Sequence, residues 1–297
     1  MSEVDVDVLM IGDIAKDVNV VQGNARVEPG GAVYYGSVAL HHLGVSVAVV
    51  TRLHPDDMPL LEALKRLGIP VYAHPAPQTS GIENVYVSPD MDRRLTRPLG
   101  FAGPFSVEEI PDVRARVYAL LPLMAGIISL EVLRHVAARG PVALDVQGFV
   151  RVPEGDTLRF RPWSEMAEGL AHVTYLKVDR AEAEALVGET DPVAALHALR
   201  AYGPDEVVLT QAEGVMVAAG DEVYFAPFTP RSLAGRTGRG DTCFATYIGK
   251  RLTLPPAEAC RWAAAVTTLK LEKPGPWDGD MRALREVLRR TEVQRVR

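Results

Sequence analysis

The chain has 297 residues, 47% of them hydrophobic, and a net charge of -6. A chain of this size buries roughly three quarters of its unfolded surface, as one large α/β domain or as two, and its acidity offers no basic footprint for nucleic acid. Cys243 and Cys260 are too few for a disulfide framework or a metal cluster, no apolar run reaches membrane-spanning length, and the acidic start MSEVDVDVLMIG lacks the basic head of a secretion signal, so a cytoplasmic protein is expected.

Val4–Ile11 reads as a buried strand closed by Gly12-Asp13. Asp17 follows near the carboxyl end of that strand, where open α/β sheets take ligands; a solvated loop aspartate is the other reading. Val18–Val21 and Arg26–Glu28 are short β-prone runs around a Gln22-Gly23-Asn24 turn. Pro29-Gly30-Gly31 leads into a helix over Ala32–Leu43, stopped by Gly44. The paired glycines imply a close backbone approach, to an uncharged polar ligand or to another loop. A strand over Val45–Val50, a helix over Asp56–Leu67 and a strand over Ile69–Ala73 set a rhythm that predicts a largely parallel sheet. Gln78–Leu99 breaks it. Ile82–Val87 and Arg94–Arg97 read as a polar hairpin around Ser88–Asp92, and the segments 18–28 and 82–98 together are expected to form a small lid sheet. Arg94 either reaches a substrate from this flap or solvates it.

Val107–Leu120 is expected to hold a helix, Leu123–Ile128 a strand, Leu130–Ala138 a helix, and Val142–Val146 a strand with Asp145 near its carboxyl end. Gln147 to Arg151 opens a loop, and 152–163 shows no clear element. After a helix over Glu165–Leu170 and a strand over Val173–Lys177 comes Asp179-Arg180-Ala181-Glu182. It reads both as a capping box and as a pair of carboxylates near the end of a strand. A helix over Pro192–Ala201, a strand over Glu206–Thr210 and a hairpin of Gly214–Ala218 with Glu222–Phe225 follow. A long apolar helix, Pro256–Leu271, and a basic surface helix, Met281–Arg290, close the fold.

Gly235–Gly249, GRTGRGDTCFATYIG, stands out for chemistry. The turn Gly238-Arg239-Gly240-Asp241 runs straight into a helix, so several backbone N–H groups converge at a positive helix end and form an anion site. Asp241 on the rim of that site either caps the helix or takes a proton from a hydroxyl during phosphoryl transfer. There is no GxxxxGK loop, no GxGxxG after the first strand, no HExxH and no GxSxG.

These landmarks, in this order, resemble the ribokinase-like family of sugar and nucleoside kinases, also called the phosphofructokinase B family. Strand-Gly12-Asp17, the Gly30-Gly31 pair, Thr79 with the polar hairpin, Asp179-x-x-Glu182 and Gly238-x-Gly240-Asp241 match it over nearly the whole chain. The stretches GGAVYYG, DVQGF, GRGDTC and LKLEKPG are most similar to microbial myo-inositol kinases. The resemblance implies a three-layer α/β fold, a central mostly parallel sheet with helices on both faces and a small β lid, in a single unit over 1–297. It implies transfer of phosphate from ATP, with magnesium, to a hydroxyl of a small polyol or sugar. Asp241 would be the base, with Gly238, Arg239 and Gly240 at the transferred phosphate. Asp13, Asp17, Gly30, Gly31, Tyr35 and Gln147 would surround the acceptor. Thr210, Thr237 and Ala263, with Gly238 and Gly240, would hold the nucleotide, and Asp179 and Glu182 would orient magnesium. A homodimer through the lid strands is implied too.

The departures bear on substrate. Arg239 stands where the family has alanine, Gly235-Arg236 replaces Asp-Thr before Thr237, and Tyr35 and Ala15 replace polar sugar-site residues, so ribose is disfavoured. Asp179 replaces asparagine, and Arg239 points either at the phosphate or outward. Tyr34, Tyr35 and Phe149 keep a nucleoside kinase open, a hexose or ketohexose kinase stays open within the family, and a sugar- or nucleotide-binding protein without catalysis is the alternative of another class.

Overall fold

The computed structural model describes residues 5–21, 23–86 and 94–296. In chain order its strands are β1 Val6–Gly12, β2 Ala15–Val21, β3 Asn24–Gly30, β4 Val47–Leu53, β5 Val71–Pro75, β6 Gly81–Tyr86, β7 Arg94–Gly100 and β8 Ala115–Leu121. They continue with β9 Val142–Asp145, β10 Arg151–Glu154, β11 Thr157–Phe160, β12 Tyr175–Asp179, β13 Glu206–Thr210, β14 Gly214–Ala219, β15 Glu222–Pro227 and β16 Gln294–Val296. The large sheet runs β16-β15-β14-β13-β12-β9-β8-β1-β4-β5. From β13 to β5 every neighbour is parallel, and the three pairings beyond β13 are antiparallel.

The period-two side-chain alternation of a strand distributes the apolar core to two sides. On β1, Leu9 and Ile11 join the core under the Leu130–Ala137, Arg180–Val187 and Pro192–Arg200 helices. Val8 and Met10 point the other way, to the Ala32–His42, Arg239–Arg251 and Pro256–Leu271 helices. This is the three-layer arrangement expected. Strand order reverses at β1, which leads to β4 and β5 on one side and meets β8 on the other. The carboxyl ends there form the crevice in which such sheets bind ligands.

The Ala32–His42 and Arg239–Arg251 helices pack unusually close. A Cβ on Gly36 would lie 2.8 Å from the Met10 methyl and 3.0 Å from the Ala245 Cβ, and one on Gly249 would meet Leu40 at 2.5 Å. Residue 36 faces 245 and residue 40 faces 249, so the helices run parallel and in step. Their first turns, one after Gly31 and one after Gly238, therefore open at the same end.

A second sheet, β3-β2-β6-β7, stands at the carboxyl end of β1. It is rooted by Lys16 N–H donating to the Ser80 carbonyl at 2.9 Å. Its strands extend the expected segments to 15–30 and 81–100, while the expected Ser88–Asp92 turn lies outside the described residues.

Several expectations need correction. Val107–Leu120 is not a helix. A 3-10 turn at Val107–Glu109, capped reciprocally by Ser106 and Glu109, precedes β8. The VYALL end of β8 lies between β1 and β9, and β-branched and aromatic residues suit that site better than a helix does. Leu123–Ile128 is then the connection after β8 and not a strand. Asp56–Leu67 splits into a 3-10 turn with Pro59 inside it and a short α-helix over Glu62–Arg66, because proline supplies no N–H to an α-helical ladder. The stretch with no clear element holds the antiparallel hairpin β10–β11. Among the described residues no helix is long and apolar enough to cross a membrane.

Gly36→Leu is expected to destabilise the protein by about 1–3 kcal/mol by overpacking this helix contact, and to lower turnover as the two first turns separate. A thermal melt identical to wild type would contradict the close parallel packing.

Candidate active site

Eleven residues singled out in the sequence line one cavity of about 340 Å³: Asp17, Gly31, Tyr35, Gln147, Asp179, Thr210, Thr237, Gly238, Arg239, Gly240 and Asp241. They come from the carboxyl ends of β12 and β13, from the segment after β9, from the first turns of the two parallel helices with Thr237 just before the second, and from β2 in the small sheet. Four others stand outside the wall. Gly30 lies behind Asp17, where any Cβ would collide with the carboxylate. Asp13 is buried and accepts from the Leu123 N–H at 3.0 Å, tying β1 to the loop after β8. Burial pushes its carboxyl up to about 6. Glu182 is fully buried behind Asp179. Ala263 sits in the core between the Pro256–Leu271 helix and the sheet, fully buried. Thr79 lies away from the cavity too, and bonds Asp57 at 2.7 Å and the His54 N–H at 2.9 Å.

Two glycines make the wall by conformation. Gly31 has φ 87, and a Cβ there would strike the Asp13 carbonyl; Gly238, the N-cap of its helix, has φ 79 and lies flat on the Tyr35 ring. Both conformations are ones that residues with a Cβ rarely adopt. Asp241 occupies the third helical position, at the positive end of the helix dipole. Burial raises its carboxyl above the ordinary range, against the pull of Lys177 and Arg151.

Beneath the turn lies a charge cluster whose two cations sequence reasoning missed. Lys177, on β12, is buried and donates to Asp145 at 3.0 Å and to Glu182 at 3.3 Å. Burial by itself would lower its pKa, but Asp145, Glu182 and Asp179 outweigh this and hold the ammonium charged well above its usual value. Arg151 donates to Glu182 at 3.1 Å and lies 3.5 Å from Asp179. The Asp179–Glu182 capping box is present, with Glu182 N–H to Asp179 at 2.8 Å and Asp179 N–H to Glu182 at 2.7 Å. The same carboxylates that cap the helix also hold the two cations that line the cavity. One sequence signal was available, since YLKVD places a single lysine inside an otherwise apolar buried strand, where a charge survives only if paired. Arg151 had no comparable signal, because the β10–β11 hairpin that aims it was not legible.

On the other side, Asp17 is buried, and its Oδ1 accepts from the Ile82 N–H at 3.1 Å. Asn84 also lines the cavity from the small sheet; it donates to Asn19 at 3.2 Å and accepts from Thr96 at 3.1 Å. Gln147 is fixed by its side chain donating to the Leu123 carbonyl at 3.1 Å. The wall thus combines the hydrogen-bonding side chains of Asp17, Asn84 and Gln147 with four cations, Arg151, Lys177, Arg236 and Arg239.

Residues 4–280 match the pfkB family carbohydrate kinases. Among solved structures, the chain is similar to a pyrophosphate-dependent kinase in the ribokinase family, determined with a pyrophosphate analogue and myo-inositol. The identity is 32% over 94% of this chain and 99% of that one, with a TM-score of 0.86. A second, also 32% identical over 94% of this chain and 98% of that one, with a TM-score of 0.87, is a pyrophosphate-dependent myo-inositol-1 kinase converted into a myo-inositol-3 kinase by a double substitution. Arabidopsis thaliana ribokinase with ribose and ATP is 19% identical over 95% of this chain and 98% of that one, with a TM-score of 0.76, a likeness of fold. A comparison with curated protein sequences gives no match. With its three-layer ribokinase-like fold and a family match over nearly its whole length, the chain belongs to the pfkB family of carbohydrate kinases and is a small-molecule kinase.

Proposed function

We propose that the chain phosphorylates a hydroxyl of myo-inositol or a closely related polyol, with pyrophosphate as the donor in place of the ATP expected from the sequence. The observation that carries this is the make-up of one cavity wall: the hydrogen-bonding side chains of Asp17, Asn84 and Gln147 together with the cationic side chains of Arg151, Lys177, Arg236 and Arg239. A pyrophosphate is almost all charge and suits such a wall. A nucleoside also needs an apolar slot, and Ala263, the residue expected to supply one, lies in the core. The similar structures at 32% identity, which are described as pyrophosphate-dependent and bind or phosphorylate myo-inositol, support both halves.

Asp241 takes the proton of the acceptor hydroxyl as that oxygen attacks the terminal phosphorus. The bond from that phosphorus to the bridging oxygen breaks, and orthophosphate leaves with the bond's electron pair. A carboxylate suffices as base because the hydroxyl becomes acidic only as the new bond forms. The N–H groups of the Gly238–Asp241 turn, with Lys177, Arg151 and Arg239, stabilise charge on the transferred group, usually the largest contribution to catalysis. Asp17 and Asn84 orient the polyol, and the small sheet acts as the lid that excludes water. Among the described residues no group of three or more His, Cys, Asp or Glu could cage a metal. Asp179 would hold magnesium, which would supply neutralisation of phosphate charge, with Glu182 keeping the surrounding cations in place. The cytoplasm is the proposed compartment, consistent with two buried free thiols.

Asp241→Asn is expected to lower kcat by about 10²–10⁴-fold with little change in KM for the acceptor. A panel of myo-inositol, ribose, fructose and adenosine, each with pyrophosphate or with ATP and magnesium, should give strongest turnover for myo-inositol with pyrophosphate. Strongest turnover with ATP would keep the kinase and sink the donor assignment.

The sign of the pH effect follows from burial. Because the carboxyl of Asp241 is raised and its ionised form is the base, activity should fall on acidification at a pH above the ordinary carboxylate range. An acid limb at or below the value of a free aspartate would count against Asp241 as base.

The exposed Val27 on β3, an edge strand of the small sheet, suits pairing with a second copy. Sedimentation should find a dimer, and a monomer at micromolar concentration would remove that proposal.

A further inference from the structure

Lys270 lies in the last turn of the Pro256–Leu271 helix, is 1% exposed, and is not among the residues that line the cavity. Its Nζ donates to the Gly235 carbonyl at 2.7 Å and lies 5.2 Å from the centroid of the Tyr35 ring. Gly235 begins the strap that runs through Arg236 and Thr237 to the glycine turn. The same residue is held from its other side, its N–H donating to the Leu271 carbonyl at 2.8 Å. Any side chain at Gly235 would collide with the Lys273 carbonyl, so the strap is pressed against the helix end. The Tyr35 face that receives the ammonium belongs to the ring on which Gly238 lies.

We infer that Lys270 is a positioning residue: its buried ammonium clamps the strap and the Tyr35 ring together, and so fixes the Gly238–Asp241 turn that forms the anion site. The effect on turnover rests on the kinase function proposed above; the effect on the strap does not. A buried lysine needs a reason to be tolerated, since an unpaired charge in apolar surroundings is costly. Here three features favour the charged form: a carbonyl acceptor, an aromatic face and the negative end of a helix dipole. A methionine would fill the volume and supply none of them.

The charged or titratable groups facing Lys270 come from two neighbouring helices, Tyr35 from one and Asp241 from the other. On the strap it meets the Gly235 carbonyl, with Arg236 next in sequence, and on its own chain Glu272 and Lys273 follow. Burial holds the Tyr35 phenol un-ionised. Burial also lowers the Lys270 ammonium to about 8, against the favourable field of Asp241. Between that value and the ordinary lysine value the unfolded chain binds more protons through this group than the folded one, so its contribution to stability rises with pH. Deprotonation therefore loosens the clamp without weakening the fold through Lys270.

The test compares wild type, Lys270→Met and Lys270→Arg by hydrogen exchange of residues 235–241, by kcat with myo-inositol and pyrophosphate over pH 6–10, and by thermal melting. In Lys270→Met the strap amides should exchange about tenfold faster and kcat should fall about 10–100-fold, with the melt retained. Lys270→Arg should restore most of both. Wild-type kcat should decline above about pH 8 without a matching loss of melting temperature, and that decline should move upward in Lys270→Arg. Unchanged strap exchange in Lys270→Met, equal loss in a folded Lys270→Arg, or the same alkaline decline in wild type and Lys270→Arg would each overturn the inference. If wild type turns over no acceptor with either donor, the kinase function fails, and strap exchange alone decides for or against Lys270.

Discussion

The parallel contact between the Ala32–His42 and Arg239–Arg251 helices is the constraint from which the site follows. Gly36 and Gly249 remove the side chains that would hold the helix axes apart, and interiors packed to crystal-like density leave no slack for an alternative. Because the two helices run in step, two turns separated by some two hundred residues of chain open side by side. In the proposed reaction one brings the Gly31 backbone and Tyr35 toward the acceptor, and the other brings the Gly238–Asp241 amides toward the phosphate. Tyr35 touches both sides, since the ring lines the cavity and supports Gly238. Neither turn alone is a transferase site. Their meeting point is where an acceptor hydroxyl and a donor phosphorus can be brought into line.

A second requirement is electrostatic. Lys177 and Arg151 can face a phosphate only if they stay charged, and burial works against charge. Asp145, Asp179 and Glu182 resolve this from behind the wall. The reciprocal caps between Asp179 and Glu182 fix those carboxylates on a helix start, so backbone geometry and side-chain charge hold each other in place. Preorganised charge of this kind needs no rearrangement as the phosphoryl group transfers, which is what makes it effective.

Much of this was legible in the sequence because it is local. Glycines before a helix, an Asp-x-x-Glu after a strand, and an apolar strand ending in Gly-Asp are short patterns whose physical causes lie within a few residues. The Pro256–Leu271 and Met281–Arg290 helices have the bounds expected of them, since proline starts one and Asp280 caps the other. What escaped depends on tertiary placement. The charged DVRAR, which runs into the first two residues of β8, imitates a helix face until the strand's position between β1 and β9 is known. Arg151 becomes part of the site only through a hairpin whose residues are polar and give no periodicity. Ala263 looked available to a nucleotide, yet the small residues of its helix serve close packing against the core.

In the proposed reaction one cavity joins a polyol to a pyrophosphate. Phosphorus NMR of the protein with myo-inositol, pyrophosphate and magnesium tests it most directly. The pyrophosphate signal should disappear while an inositol monophosphate ester and orthophosphate grow in equal amounts. Orthophosphate alone, or an unchanged pyrophosphate signal in a sample that makes the ester from ATP, would contradict it.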